Sequence, residues 1–128
     1  MKVEINDNKA VVEIQQAFNE AFPYLTLEFV KKSSFKERGD SFFTKANCKI
    51  IKDYRDSHQA GTITFFPEMT TSDLVAICWE SFGLRIQIWR KFGTVWLKTR
   101  HTLTWSLAEQ NRQGEIISRH ITERNKKK

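Results

Sequence analysis

Arg85, Gln87, Trp89, Trp96 and Lys98 are the residues of this chain whose types and spacing could do chemistry. Indole rings interleaved with Arg and Lys on an open sheet offer π-faces to bases and cations to phosphates, which is the chemistry of nucleic-acid recognition. Two other arrangements use the same residues. In one, the C-terminal segment, with Trp105, Leu107, Ile116 and Ile117, folds over Trp89 and Trp96. This is the expected one, because paired exposed Trp side chains are costly on a monomer. In the other, the face is a seam between two copies of the chain, since Trp and Arg are enriched in interfaces. The basic-Gly-Phe-Gly-Phe signature of RNA-recognition sheets is absent from the sequence.

The remaining reactive side chains assemble no constellation. His58, His101 and His120 lack the spacing of a shared metal site. Cys48 and Cys78 form no CxxC and have no neighbouring His. They are expected as reduced, buried thiols of a cytoplasmic protein. Glu13 with Glu20, and Asp73 with Glu80, are spaced as solubilising charge on a helix flank. Lys91-Phe92-Gly93-Thr94 reads as a turn and not as a phosphate-cradling loop. No catalytic residue, cofactor-binding residue or metal ligand is assigned, no cofactor is implied, and the chain is not expected to be an enzyme.

The elements that must position these residues follow from hydropathy. The chain has 128 residues, 40% hydrophobic and 12% aromatic, with a formal net charge of +6. That fits one globular domain, with no apolar run long enough for a membrane span. Its opening, Met1-Lys2-Val3-Glu4-Ile5, alternates charge with apolar side chains, unlike a signal peptide. The positive charge is segregated. Five cations and no acid lie in 84–108 (Arg85, Arg90, Lys91, Lys98 and Arg100), while 56–83 holds only acids. A basic patch of this kind favours a polyanionic partner and also aids solubility.

An internal repeat organises the chain. At an offset of sixty, Val3 meets Ile63, Ile14 meets Leu74, Glu20 meets Glu80 and Phe22 meets Phe82. After one residue drops out, Leu25, Leu27 and Phe29 meet Leu84, Ile86 and Ile88. Each copy reads as strand, helix, strand, with apolar side chains at a period of two, then at helical spacing, then at two again. Pro23 ends the first helix. Thr71 or Ser72 caps the second, and Gly83 ends it. Leu84 to Arg90 is a strand, followed by a hairpin at Phe92-Gly93, or a four-residue loop over 91–94, that sets Trp89 opposite Trp96. Either turn puts Leu84, Ile86, Ile88, Val95 and Leu97 on one face, and Arg85, Gln87, Trp89, Trp96 and Lys98 on the other.

A basic insert, 33–60, divides the copies, with a short helix expected over 45–54. Ser106 and Glu109 predict a capping box for a short last helix stopping near Gly114, before a basic tail at 124–128. The order βαββαβ with right-handed crossovers predicts an α+β, ferredoxin-like two-layer sandwich extended by a C-terminal hairpin strand and that helix. The expected domain is the whole chain: 1–32 and 61–91 as the two units, and 92–123 as the extension.

One block resembles a pattern shared by a group of small uncharacterised bacterial proteins. It runs from Phe82-Gly83-Leu84 through Gln87, Arg90-Lys91, Gly93, Val95-Trp96-Leu97, Thr99, Thr102 and Trp105-Ser106-Leu107 to Gln110-Asn111. The sequence departs from the pattern at Phe92, where it has Ser, and around Leu103-Thr104. The resemblance implies no activity. The sequence itself names none either. It favours a non-enzymatic, cytoplasmic protein-binding or assembly module whose partner is a protein or a second copy, away from any membrane. The alternative is a nucleic-acid-binding domain using the aromatic and basic face.

Overall fold

The computed structural model describes residues 1–30 and 50–126, with side chains to Arg124. Most of the insert, Cys48 and the first half of the helix expected over 45–54 lie outside the described residues. Ile51–Tyr54, the second half, is a single 3-10 turn.

The first strand, β1 (Lys2–Ile5), buries Val3 and Ile5 and exposes the residues between them. Helix α1 (Val11–Ala21) buries Val11, Ile14 and Phe18, an apolar stripe at helical spacing. Strand β2 (Leu25–Val30) follows Pro23. Strand β3 (Gly61–Thr64) leads to α2 (Thr71–Phe82), which is capped by Thr70 and not by Thr71 or Ser72. The Thr70 hydroxyl accepts from the Asp73 amide at 3.0 Å, and the Asp73 carboxylate accepts from the Thr70 amide at 3.2 Å. Gly83 ends α2 at φ 66°, a left-handed value that disfavours a side chain. Strands β4 (Arg85–Phe92) and β5 (Val95–Lys98) form the hairpin, and α3 (Leu107–Lys126) closes the described chain.

The class is α+β, with three α-helices and two antiparallel sheets among the described residues. The strand order differs from the expected one. A ferredoxin-like sheet is continuous in the order β4-β1-β3-β2 with β1 and β3 parallel, whereas the β1–β3 ladder here is antiparallel and lies in a sheet of its own. Here β1 pairs with β3, and β2 pairs with β4, which also carries β5. The long connection from β2 to β3 explains the freedom: only a short loop forces consecutive strands to be neighbours. One apolar cluster joins both sheets, drawing Val3, Ile5 and Ile63 from one and Leu25, Leu27, Ile86 and Ile88 from the other. Phe18 sits against Phe65 edge-on, with ring centroids 5.3 Å apart.

The last helix is not short. It runs twenty residues, straight through Gly114, and takes in most of the stretch read as a basic tail. Gly114 is a point of close approach: a Cβ there would lie 2.9 Å from the Tyr24 Cβ and 3.1 Å from the Arg90 Cγ. Ser106 does cap the helix, its hydroxyl accepting from the Glu109 amide at 3.0 Å. No helix among the described residues is long and apolar enough to cross a membrane.

Candidate interaction surface

The three-stranded sheet β2–β4–β5 positions the candidate residues. The turn between β4 and β5 is Gly93-Thr94, with Phe92 paired to Val95, Lys91 to Trp96 and Trp89 to Lys98. Trp89 is therefore not opposite Trp96; the register differs from the expected one by two residues. Gly93, at φ 67°, supplies the left-handed first position of a tight two-residue turn, which Phe92 cannot do. A two-residue shift preserves the alternation, so the division into faces stands.

On the face away from Leu25 and Ile88, Trp89 pairs with Thr26 and Gln87 with Glu28. The Trp89 indole N–H donates to the Glu28 carboxylate at 3.0 Å. The Lys98 ammonium lies 5.3 Å from the Trp89 ring centroid. Trp89, Trp96 and Gln87 are half-buried, and the Gln87 Oε1 is buried without a hydrogen bond. Arg85 leaves this group: its guanidinium stacks 4.9 Å over Trp79 of α2. The structure thus brings Gln87, Trp89, Trp96 and Lys98 together, adds Glu28 and Lys91, and turns Arg85 aside.

Among the described residues, Trp105 and Leu107 of the C-terminal segment do not cover Trp89 and Trp96 as expected. Trp105 packs on the other side of β4, where Arg90 lies 5.2 Å over its ring, and Leu107 is buried in the core. The cause is a polar network that no local sequence pattern announces. Gln110 is fully buried; its Oε1 accepts from Arg90 Nη1 at 2.8 Å, and its Nε2 donates to the Thr102 carbonyl at 2.6 Å and to the Thr71 hydroxyl at 3.3 Å. Asn111 accepts from the Tyr24 amide at 2.8 Å. The buried Thr99 donates through its hydroxyl to the Ile88 carbonyl at 2.9 Å. These groups hold α3 on the Arg90 face, away from Trp89 and Trp96. The only signal in the sequence was their place in the block from Phe82 to Asn111.

The apolar side of the hairpin ends differently. Ile86 and Ile88 are buried, but Phe92, Val95 and Leu97, further along the same face, are 41%, 52% and 46% exposed. Leu97 pairs with Arg90 and Val95 with Phe92, so the three are cross-strand or diagonal neighbours. Beside them, a shallow cleft of about 270 Å³ is lined by Tyr24, Lys91, Ser118, Arg119, Thr122 and Glu123. Arg119 is already paired with Glu115 at 2.9 Å.

The other residues weighed for chemistry have structural settings. Glu13 pairs with Lys9, and Asp73 serves the cap of α2. His101 and His120 are exposed. His58 Nδ1 lies 2.6 Å from Asp7, whose carboxylate also takes Arg55 at 2.9 Å. Arg55 spends its other nitrogen on the carbonyls of Gln59 and Phe82, at 2.7 and 3.0 Å, and its side chain is wholly buried. Among the described residues no three His, Cys, Asp or Glu side chains gather as metal ligands. No family model, curated protein or solved structure matches the chain.

Proposed function

We propose that this chain is a non-enzymatic protein-binding or assembly module that works through the β4–β5 hairpin. The observation that carries the reading is the run of Phe92, Val95 and Leu97, left exposed in a hairpin whose base is core. Scattered exposed apolar residues are normal, but neighbours on one face mark an interaction site. The nucleic-acid alternative draws on the other face, where Trp89 and Trp96 stand among Lys91 and Lys98. It is weakened because the Trp89 N–H is tied to Glu28, Lys98 already lies over the Trp89 ring, and the Glu28 carboxylate opposes phosphate.

The two halves are further proposed to be a duplicated strand–helix–strand unit. Val3 and Ile63 match at the offset of sixty and also face each other in the β1–β3 ladder. Glu28 and Gln87 match at the offset of the second strands and face each other in the β2–β4 ladder. A two-fold relation between the copies places equivalent residues opposite one another in this way.

A photo-reactive residue at position 95 or 97, with position 62 as control, tests the function in cells that express the chain. A discrete protein adduct from the hairpin and none from position 62 is expected. Adducts to nucleic acid, or none, would overturn the reading. Steeply salt-dependent quenching of Trp fluorescence by oligonucleotides would favour the alternative instead.

A further inference from the structure

The β1–β3 ribbon is a sheet of two strands, so each strand has an outer edge. Its hydrogen bonds decide what the β1 edge presents. The Met1 amine donates to the Phe65 carbonyl at 3.3 Å, and the Phe65 amide donates to the Met1 carbonyl at 2.8 Å. Residue pairs in an antiparallel ladder alternate between bonded and non-bonded. Val3 and Ile5 therefore bond to Ile63 and Gly61, while Lys2 and Glu4 turn their N–H and C=O groups outward. Among the described residues nothing meets those groups, and neither the Lys2 ammonium nor the Glu4 carboxylate has an ion pair. Both residues are exposed.

Charges on an edge strand usually deter pairing. Here their order makes the edge complementary to itself. A two-fold axis normal to the sheet runs two copies of β1 antiparallel, and outward groups must then meet outward groups. Lys2 opposite Lys2, or Glu4 opposite Glu4, sets like charges together. The register centred on Val3 opposite Val3 instead sets Lys2 of each copy opposite Glu4 of the other. It also brings Ile5 to Met1 of the other copy. Met1 shares the face of Val3 and Ile5, which are buried, yet is itself 49% exposed. The β3 edge turns out Thr62 and Thr64, whose uncharged side chains specify no register.

We infer that two copies of the chain join edge to edge along β1, in a continuous sheet of order β3-β1-β1-β3 with Lys2 paired to Glu4 on both sides of the axis. The contact is short, so the dimer is a weak one that forms as concentration rises. The seam lies in the other sheet from the β4–β5 hairpin, and it stands or falls independently of the hairpin's proposed role.

Sedimentation equilibrium of the full chain, from roughly 10 μM to 1 mM, tests the seam. The wild type should pass from monomer towards dimer across that range. Lys2→Glu leaves only carboxylates on the edge, and Glu4→Lys leaves only ammonium groups. Each variant alone should weaken the dimer by about tenfold or more. Both positions are exposed, so both variants should keep the wild-type circular dichroism. Mixed in equal amounts, the two variants should dimerise with each other about as tightly as the wild type, because every pair across the seam is again opposite in charge. Mixing would not reverse a loss caused by misfolding. A wild type that stays monomeric at the highest concentration, a dimer that either variant leaves unchanged, or a mixture that stays monomeric would overturn the inference.

Discussion

Cys78 and Asp7 show how burial and neighbours set the chemistry of single side chains. Cys78 is 1% exposed, and burial pushes its thiol up to about 12. At pH 8 the thiolate is then about one molecule in ten thousand, and the thiolate is the species that reacts. Iodoacetamide at that pH should leave Cys78 unmodified in the native protein and alkylate it in urea, as read by peptide mass spectrometry. Native labelling at the rate seen in urea would contradict the burial. Asp7 shifts the other way: hydrogen bonds first from Arg55 and then from His58 hold its carboxyl below the usual range. A folded value below the unfolded one means stability that is complete above about pH 4 and is lost as pH falls through the folded value. Asp7→Asn should therefore lower the thermal midpoint at pH 6, and the gap to wild type should close as pH falls below about 4. A gap that stays constant with pH would exclude the linkage. Neither role of this cluster was legible beforehand. Arg55 looked like one cation of a basic insert, and only the fold brings it to Asp7 and to the last carbonyl of α2.

Local pattern decided which elements formed and which faces they bury, while long-range packing decided their lengths and partners. The faces of β4 and β5 were legible because alternation survives a two-residue slip in register. The turn falls at Gly93-Thr94 and not at Phe92-Gly93 or over 91–94, because only Gly93 can take the left-handed position. The sequence predicts a helix stop at Gly114 because glycine usually ends helices. Its actual role is visible only once α3 meets Tyr24 and Arg90. That contact yields a prediction with an unusual sign. In an exposed helix interior Gly→Ala stabilises by about 1 kcal/mol. Here the added methyl meets the Tyr24 Cβ at 2.9 Å and the Tyr24 carbonyl oxygen at 3.3 Å. Overpacking of this kind costs about 1–3 kcal/mol, so Gly114→Ala should destabilise by about 1 kcal/mol in urea unfolding. A stabilised variant would mean that α3 sits further from Tyr24 than described.

At the scale of the molecule the two halves interleave, and this was the least legible property. Strands and the first two helices follow from hydropathy, but pairing between distant strands leaves no local signature, so the observed strand order differs from the expected one. The interleaving has an energetic consequence. Residues 1–30 supply one strand to the β1–β3 ladder, one to the β2–β4 ladder and nine of the buried apolar side chains, from Val3 to Phe29. At about 1.5–3 kcal/mol each, their loss exceeds the roughly 5–15 kcal/mol by which a domain is stable. A fragment spanning 50–128 should therefore show no near-ultraviolet circular dichroism and no cooperative thermal transition. A fragment spanning 1–30 should be equally unstructured. Mixed in equal amounts, the two should recover the dichroism of the intact chain, because each ladder can reform across the break. If the longer fragment unfolds cooperatively on its own, the second half with α3 is an independent unit and the interleaved core is not what holds the molecule together.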